Sequence, residues 1–150
     1  MPNKVVEIAL DEVGYTEGKN NSNKFSKALG KPNQSWCADF VVWCMKEAGY
    51  GSKILNSSSV IEITNWAKKN ALQINPKLAR EGDIISFDFA HLGTPQHIGI
   101  VAKPFDLKRN SVETIEGNTS AAQGSQSNGD CVAHKVRGLP YIYQVFRPKY

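Results

Sequence analysis

Apolar residues in the first half of the chain recur at helical spacing. Over residues 5–13 they return every three or four positions, with acidic residues on the opposite side, and this predicts a helix that ends near Gly14. Similar patterns, each followed by a glycine or bounded by serines, predict three more helices. These lie at about 24–29, 36–48 and 60–70.

The third of these helices has the strongest pattern. Ser35 precedes it and is a candidate N-cap, since a serine side chain can accept a hydrogen bond from the first free N–H groups of a helix. Asp39 is expected in the first turn, where a carboxylate suits the helix dipole. Gly49 ends the pattern.

The spacing changes after Pro76 to the alternation that is typical of strands. Strands are predicted at 83–89, 97–103, 111–117, 131–136 and 142–147. Residues 118–130 are rich in Gly, Ser, Gln and Asn and are predicted to form a long flexible hairpin loop. Helices that precede strands, without βαβ alternation, indicate an α+β fold with helices packed on an antiparallel sheet of about five to six strands.

The composition agrees with a single domain over residues 1–150, with 41% hydrophobic and 21% charged residues. The longest apolar run is Phe40 to Met45, far shorter than the roughly 20 residues that span a bilayer, so no membrane insertion is expected. The N-terminus lacks the apolar stretch of a signal peptide. A net charge of +4 without basic runs argues against nucleic-acid binding but suits contact with an anionic polymer.

Cys37 is the first candidate for chemistry. A thiol reacts as the thiolate, and the partial positive charge at a helix start favours that form. An inert, buried cysteine is the alternative, and it is the commoner one for a cysteine considered alone. Cys44, inside the apolar run, and Cys131, at the start of a strand, are predicted to be structural. Three cysteines, an odd number, do not indicate a disulfide framework.

Among the three histidines, His97 begins a predicted strand and could face the end of a helix. His91, in a loop, and His134, in a late strand, have the pattern of surface residues. A cysteine–histidine pair needs a third group to orient the imidazole. Glu116 could lie beside His97 if their strands are adjacent and antiparallel; a surface glutamate at a strand end is the alternative.

Taken together, these segments resemble a known family. Their order along the chain is similar to that of CHAP domains, the cysteine- and histidine-dependent amidohydrolases/peptidases of the papain-like superfamily. The resemblance covers roughly residues 5–147, and residues 14–25 resemble a branch frequent in bacteriophage endolysins. The segments that carry it are Ser-Trp-Cys-Ala-Asp-Phe-Val-Val-Trp at 35–43, Gly-Asp-Ile at 82–84, His-Ile-Gly-Ile-Val at 97–101 and Glu-Gly-Asn at 116–118.

The resemblance implies a papain-like fold and a peptidoglycan hydrolase. Such an enzyme would cleave an amide bond of the cell-wall peptide, as an N-acetylmuramoyl-L-alanine amidase or as a D-alanyl-type endopeptidase. Cys37 would match the nucleophile and His97 the general base. Glu116 would match the residue that orients the imidazole, and Asn118 a polar residue of the same site. Trp36 could lie beside the cleft and contact substrate, or it could be structural.

No metal or other cofactor is expected. Some phage CHAP domains bind calcium through an aspartate-rich loop before the nucleophile, but residues 20–36 contain neither Asp nor Glu. The cysteines and histidines also lack the spacings of zinc sites.

Two other functions stay open at this point. One is a non-catalytic cell-wall-binding module, and the other is a thiol hydrolase of a different amide substrate. The resemblance to lysins implies a protein held in the host cytoplasm until it is released to the cell wall, with bacterial peptidoglycan as its partner. A cell-wall-binding domain or subunit could supply targeting, since none is recognisable in this chain.

Overall fold

The computed structural model describes residues 3–121 and 124–150. In this part of the chain four α-helices lie at the predicted places, with slightly tighter bounds. Side chains cap three of them, because Asn3, Asn23 and Ser59 each accept hydrogen bonds from backbone N–H groups of the first turn. The helices are α1 (Lys4–Asp11), α2 (Lys24–Ala28), α3 (Cys37–Glu47) and α4 (Val60–Lys69), with 3-10 turns at Lys19–Asn21, Gly51–Lys53, Pro76–Leu78 and Leu139–Tyr141.

The start of α3 corrects one prediction. Trp36, not Ser35, occupies the N-cap position, and no side chain in the described ranges caps this helix. The Ser35 hydroxyl instead accepts a hydrogen bond of 2.8 Å from the Asn118 side-chain amide. This partner comes from the sheet, so local sequence could not reveal it. Asp39 lies in the first turn, as predicted.

The second half of the chain forms an antiparallel sheet in the order β1-β6-β2-β3-β4-β5, which confirms the α+β prediction. Five strands match predicted ones. The two-residue β1 was not predicted, because a segment that short has no readable alternation. The strands are β1 (Gln73–Ile74), β2 (Ile84–Phe87), β3 (His97–Val101), β4 (Ser111–Thr119), β5 (Cys131–Gly138) and β6 (Ile142–Phe146).

The polar segment 118–130 connects two paired strands, as the hairpin prediction requires. β4 takes in its first two residues, and the remaining stretch joins β4 to β5. Ala122 and Gln123, in the segment predicted to be a flexible loop, lie outside the described residues.

Apolar side chains cover both faces of the sheet. Helices α1 and α3 pack on one face against β3 and β4. Ile98 and Ile100 belong to the core on that side, whereas Val101 belongs to the core on the other side. Because side chains alternate along a strand, His97 and Gly99 share the second face with Val101. No helix among residues 3–121 and 124–150 is long and apolar enough to cross a membrane.

Candidate active site

Cys37 is the first residue of α3, and only 4% of its surface is exposed. The first turn of a helix leaves backbone N–H groups without intrahelical partners. No described side chain caps α3, so these donors are not claimed by a capping group. The thiol therefore lies beside N–H groups that can donate hydrogen bonds to an oxygen of a bound molecule.

His97 is the first residue of β3 and is fully buried. Its Nε2 atom lies 2.9 Å from Glu116 Oε1. The thiol of Cys37 interacts with the same imidazole. Since Nε2 faces the carboxylate, Nδ1 is the nitrogen left to face the thiol, and it has no hydrogen-bond partner within the described chain. The structure thus brings Cys37, His97 and Glu116 together.

The Glu116 carboxylate is buried and saturated with hydrogen bonds. Oε1 accepts from Arg137 Nη2 at 2.5 Å, besides its contact with His97. Oε2 accepts from Arg137 Nε at 2.8 Å and from Thr114 Oγ1 at 2.6 Å. Each oxygen therefore has two partners, which fixes the position of the carboxylate against the imidazole.

These contacts set the charges of the pair. Burial raises the pKa of Glu116, but hydrogen bonds from Arg137 and His97 lower it to about 2. Burial lowers the pKa of His97, but interactions with Cys37 and Glu116 raise it to about 9. At neutral pH the site therefore holds an ionised carboxylate beside an imidazole that favours its protonated form.

Two glycines make room for this arrangement. A Cβ atom on Gly99 would lie 2.7 Å from Glu116 Cγ, so the glutamate side chain crosses β3 where no side chain stands. A Cβ atom on Gly117 would lie 2.6 Å from Phe40 Cβ and 2.8 Å from a Trp36 ring carbon. Gly117 therefore lets β4 approach the first turn of α3, which brings Glu116 and Cys37 to the same end of the sheet.

Asn118 lies at the edge of the site. Its φ of 54° falls in the left-handed region, and the β4–β5 register shifts between Glu116 and Thr119, as at a β-bulge. Its amide nitrogen donates to Ser35 Oγ at 2.8 Å and to Asn128 Oδ1 at 3.3 Å. Its buried Oδ1 has no partner among the described residues. Asn118 thus joins β4 to the segment just before Cys37.

The other cysteines and histidines lie outside this arrangement, as predicted. Cys44 is fully buried in the core, and burial raises the pKa of its thiol. Cys131 is 8% exposed, burial also raises its pKa, and its sulfur contacts the Thr119 carbonyl oxygen at 3.3 Å. His91 is exposed, and His134, at 39% side-chain exposure, faces Glu113.

Trp36 corrects a second prediction. Its side chain is 0% exposed, stacks on Phe25 with ring centroids 5.3 Å apart, and donates a hydrogen bond of 2.9 Å to Glu17. A bound substrate has no access to this ring. The expectation that Trp36 contacts substrate is therefore wrong, and the structural alternative holds.

Asp39, two residues after Cys37, is a fully buried carboxylate. It accepts hydrogen bonds of 2.6 Å from both Ser26 and Ser58 and one of 3.0 Å from Gln34, and it pairs with Lys31 at 3.4 Å. A metal ion here would have to displace a lysine ammonium. Among residues 3–121 and 124–150, no three His, Cys, Asp or Glu side chains are grouped to hold a metal.

Two residues in contact with Glu116 were missed from the sequence. Thr114 could have been found, because residues two apart on a strand share a face. Arg137 had no such signal. Its contact with Glu116 depends on the pairing register of β4 and β5, in which Ala133 is opposite Glu116 and Arg137 is opposite Val112.

Comparison with known proteins agrees with this geometry. A family model described as the CHAP domain matches residues 30–118, more than half of the chain. Three chains of solved structures match the fold. One is the crystal structure of a wild type endolysin, LysIME-EF1, with 14% sequence identity and a TM-score of 0.55 over 100% of this chain. The present chain spans 66% of that endolysin chain. No curated protein matches the sequence.

Proposed function

The chain belongs to the CHAP domain family, and on that basis we propose that it is a peptidoglycan hydrolase that uses Cys37 as its nucleophile. The observation that carries this proposal is the position of the thiol, at an uncapped helix start and beside a buried histidine–glutamate pair. A nucleophile, a base and a group that orients the base are the parts that thiol-dependent acyl transfer requires.

In the proposed reaction, the Cys37 thiolate attacks the carbonyl carbon of an amide in the cell-wall peptide. The carbonyl oxygen takes up the negative charge, and backbone N–H groups at the start of α3, that of Cys37 among them, donate hydrogen bonds to it. Protonated His97 then donates its proton to the amide nitrogen. The C–N bond breaks, the amine leaves, and a thioester remains on Cys37.

Hydrolysis of the thioester uses the same two residues with exchanged roles, because His97 now acts as the base and Cys37 as the leaving group. His97, now neutral, removes a proton from a water molecule, which attacks the thioester carbonyl carbon. The C–S bond breaks, the acid product leaves, and the thiolate–imidazolium pair is restored. Glu116 keeps the imidazole in one orientation through Nε2, and Asn118 holds the segment before Cys37 against β4.

Replacement of Cys37 by serine tests the mechanism. We expect the serine variant to lose more than about 99% of the lysis of purified cell walls, since removing a nucleophile that acts together with its base costs several orders of magnitude. Cys131→Ser, the same sulfur-to-oxygen change at a residue outside the site, is the control and should keep wild-type lysis. Unchanged lysis by the Cys37→Ser variant would falsify the mechanism.

The bond that is cleaved is settled by the products. Mass spectrometry of digested walls should show either glycan strands freed from an intact stem peptide, which indicates an amidase, or new D-alanyl carboxyl groups, which indicate an endopeptidase. If the wild-type protein binds walls without releasing either product, it is a wall-binding module. If it releases product only from another amide, it is a thiol hydrolase of that substrate.

We further propose that residues 1–150 form one catalytic domain that acts as a phage endolysin, held in the host cytoplasm until it is released to the wall. The structural similarity to an endolysin supports this proposal. A separate wall-binding domain or subunit is the partner that we propose for it. Fractionation of lysing and intact host cells tests the location.

A further inference from the structure

Arg137, on β5, forms two hydrogen bonds with Glu116, and the sequence analysis did not predict this pair. Its Nε and Nη2 atoms donate to the two carboxylate oxygens in the parallel arrangement that a guanidinium forms with a carboxylate. The arginine side chain is only 9% exposed. Its Nη1 donates to Gln126 at 3.1 Å, and its Nη2 also approaches Thr119 at 3.3 Å.

The guanidinium also shares an aromatic surface with the histidine. Its central carbon lies 4.7 Å from the ring centroid of Phe89 and 5.6 Å from that of Phe87. The His97 ring lies 5.8 Å and 6.0 Å from the same two centroids. Phe87 and Phe89 therefore pack against both ends of the row formed by Arg137, Glu116 and His97.

A carboxylate that is fully buried needs a compensating charge to remain ionised. The charged and titratable groups that act on Glu116 are His97 from β3, Cys37 from α3 through that histidine, and Arg137 and Lys135 from β5. Only Arg137 among them combines a permanent charge with direct hydrogen bonds, because His97 must give up its proton during the proposed reaction.

Resting on the proposed function, we propose that Arg137 is a positioning residue that keeps Glu116 ionised and aimed at Nε2 of His97. Through Glu116 it determines how far the pH can fall before Cys37 loses its reactive form. Arg137 itself touches neither Cys37 nor the reacting atoms.

The test measures Cys37 reactivity directly. The rate of alkylation by iodoacetamide is followed from about pH 4 to 9 by mass spectrometry of the peptide that carries Cys37, which separates it from Cys44 and Cys131. In Arg137→Met we expect the acidic limb of this profile to move up by about one pH unit or more, the size of shift that a carboxylate undergoes when it loses a charged partner. Arg137→Lys keeps the charge but not the two parallel bonds, so its shift should be smaller.

Arg109→Met is the matched control, since Arg109 has 83% side-chain exposure and pairs only loosely, at 3.9 Å, with Asp106. Its profile should superimpose on the wild type. If the acidic limb of Arg137→Met does not move, even with lowered stability, Arg137 is merely structural and the inference is overturned. If that variant does not fold, an unmoved limb in Arg137→Lys overturns it equally. Wall lysis by the wild type judges the proposed function separately from these alkylation profiles.

Discussion

At the scale of single residues, Glu116 shows how surroundings change the meaning of a residue type. A glutamate near the end of a strand is ordinarily solvated. Here four hydrogen bonds from Thr114, Arg137 and His97 satisfy both oxygens, and the side chain is buried. Arg137 first and His97 second lower its pKa to about 2, and Cys37 and Glu116 together raise the pKa of His97 to about 9.

Glu116→Gln keeps the shape of this side chain and removes its charge. We expect Cys37 alkylation and wall lysis near neutral pH to fall about 10²-fold or more, the scale of a defect in acid–base catalysis. The alkaline limb of the pH profile of wall lysis should also move to lower pH, because the leaving amine needs the His97 proton and the carboxylate that helps to raise the pKa of His97 is lost.

Glu113→Gln is the control for this change. Glu113 lies on the same strand, has 34% side-chain exposure and faces His134 rather than His97. A Glu116→Gln profile that coincides with that of Glu113→Gln would contradict the role given to the carboxylate.

At the scale of elements, the antiparallel pairing of β3 with β4 positions Glu116 beside His97. Ile100 is opposite Ile115 in the register, so Gly99 comes opposite Glu116, and His97 lies two residues further along the same face. The glutamate side chain passes over Gly99 to reach the imidazole. Beyond this point the β4–β5 register shifts, and Gly117 lets the strand approach α3.

Gly99→Ala tests whether the Glu116 side chain needs the space above Gly99. The added methyl group would meet Glu116 Cγ at 2.7 Å and the Ile115 carbonyl oxygen at 3.1 Å, so the glutamate must move. We expect the free energy of unfolding to fall by about 1–3 kcal/mol, as for overpacking elsewhere, and Cys37 alkylation at neutral pH to slow. Urea unfolding and the alkylation rate measure the two effects.

The control is Gly51→Ala, where the three atoms nearest to the new methyl group belong to Lys46 and lie at 3.4–3.5 Å, an ordinary contact distance. Its stability and alkylation rate should stay near those of the wild type. Should Gly99→Ala behave like Gly51→Ala, the glutamate does not depend on that gap.

At the scale of the whole molecule, the site gathers distant segments. Cys37 comes from a helix, and His97, Glu116 and Arg137 come from three consecutive strands of the sheet. The row of Arg137, Glu116 and His97 is buried, and the aromatic rings of Phe87 and Phe89 pack against it. Its ionisation is therefore linked to folding as well as to reactivity.

The pH dependence of stability should show this linkage. His97 has a raised pKa in the folded protein, so the folded state holds its proton between pH 6.5 and about 9 while the unfolded state loses it. The free energy of unfolding should therefore fall as pH rises through that window, with a slope of at most about 1.4 kcal/mol per pH unit, because a proton that the Cys37 thiol passes to His97 in the folded protein offsets part of the one-proton difference. Glu116 has a lowered pKa, so its contribution should be lost as pH falls from 4.5 toward about 2.

Urea unfolding at a series of pH values measures both effects. His97→Gln should remove most of the alkaline slope, whereas His134→Gln, at a half-exposed position, should keep it. An alkaline slope of equal size in both variants would show that other groups produce it.

Much of the framework of helices and strands follows from the amino-acid sequence. Apolar spacing located α1 to α4, because a helix that buries one face repeats its apolar residues about every 3.6 positions. Apolar content also located five of the strands, although β2 and β3 are buried along their whole length and show no alternation. The sequence also identified Cys37 as a candidate nucleophile, since the residues around it predict the start of a helix. His97 and Glu116 could be paired in advance only on the assumption that β3 and β4 are neighbours, which the structure shows.

The tertiary structure alone decided which partners those residues have. Ser35 accepts a hydrogen bond from Asn118, 83 residues away; Trp36 is buried rather than exposed; and Arg137 completes the row behind Glu116. None of these contacts can be predicted from the local sequence, because each depends on strand register, on a bulge or on the approach of a helix to a sheet. Periodicity reports which side of an element is buried, whereas the partner met there is chosen by the packing of the whole chain.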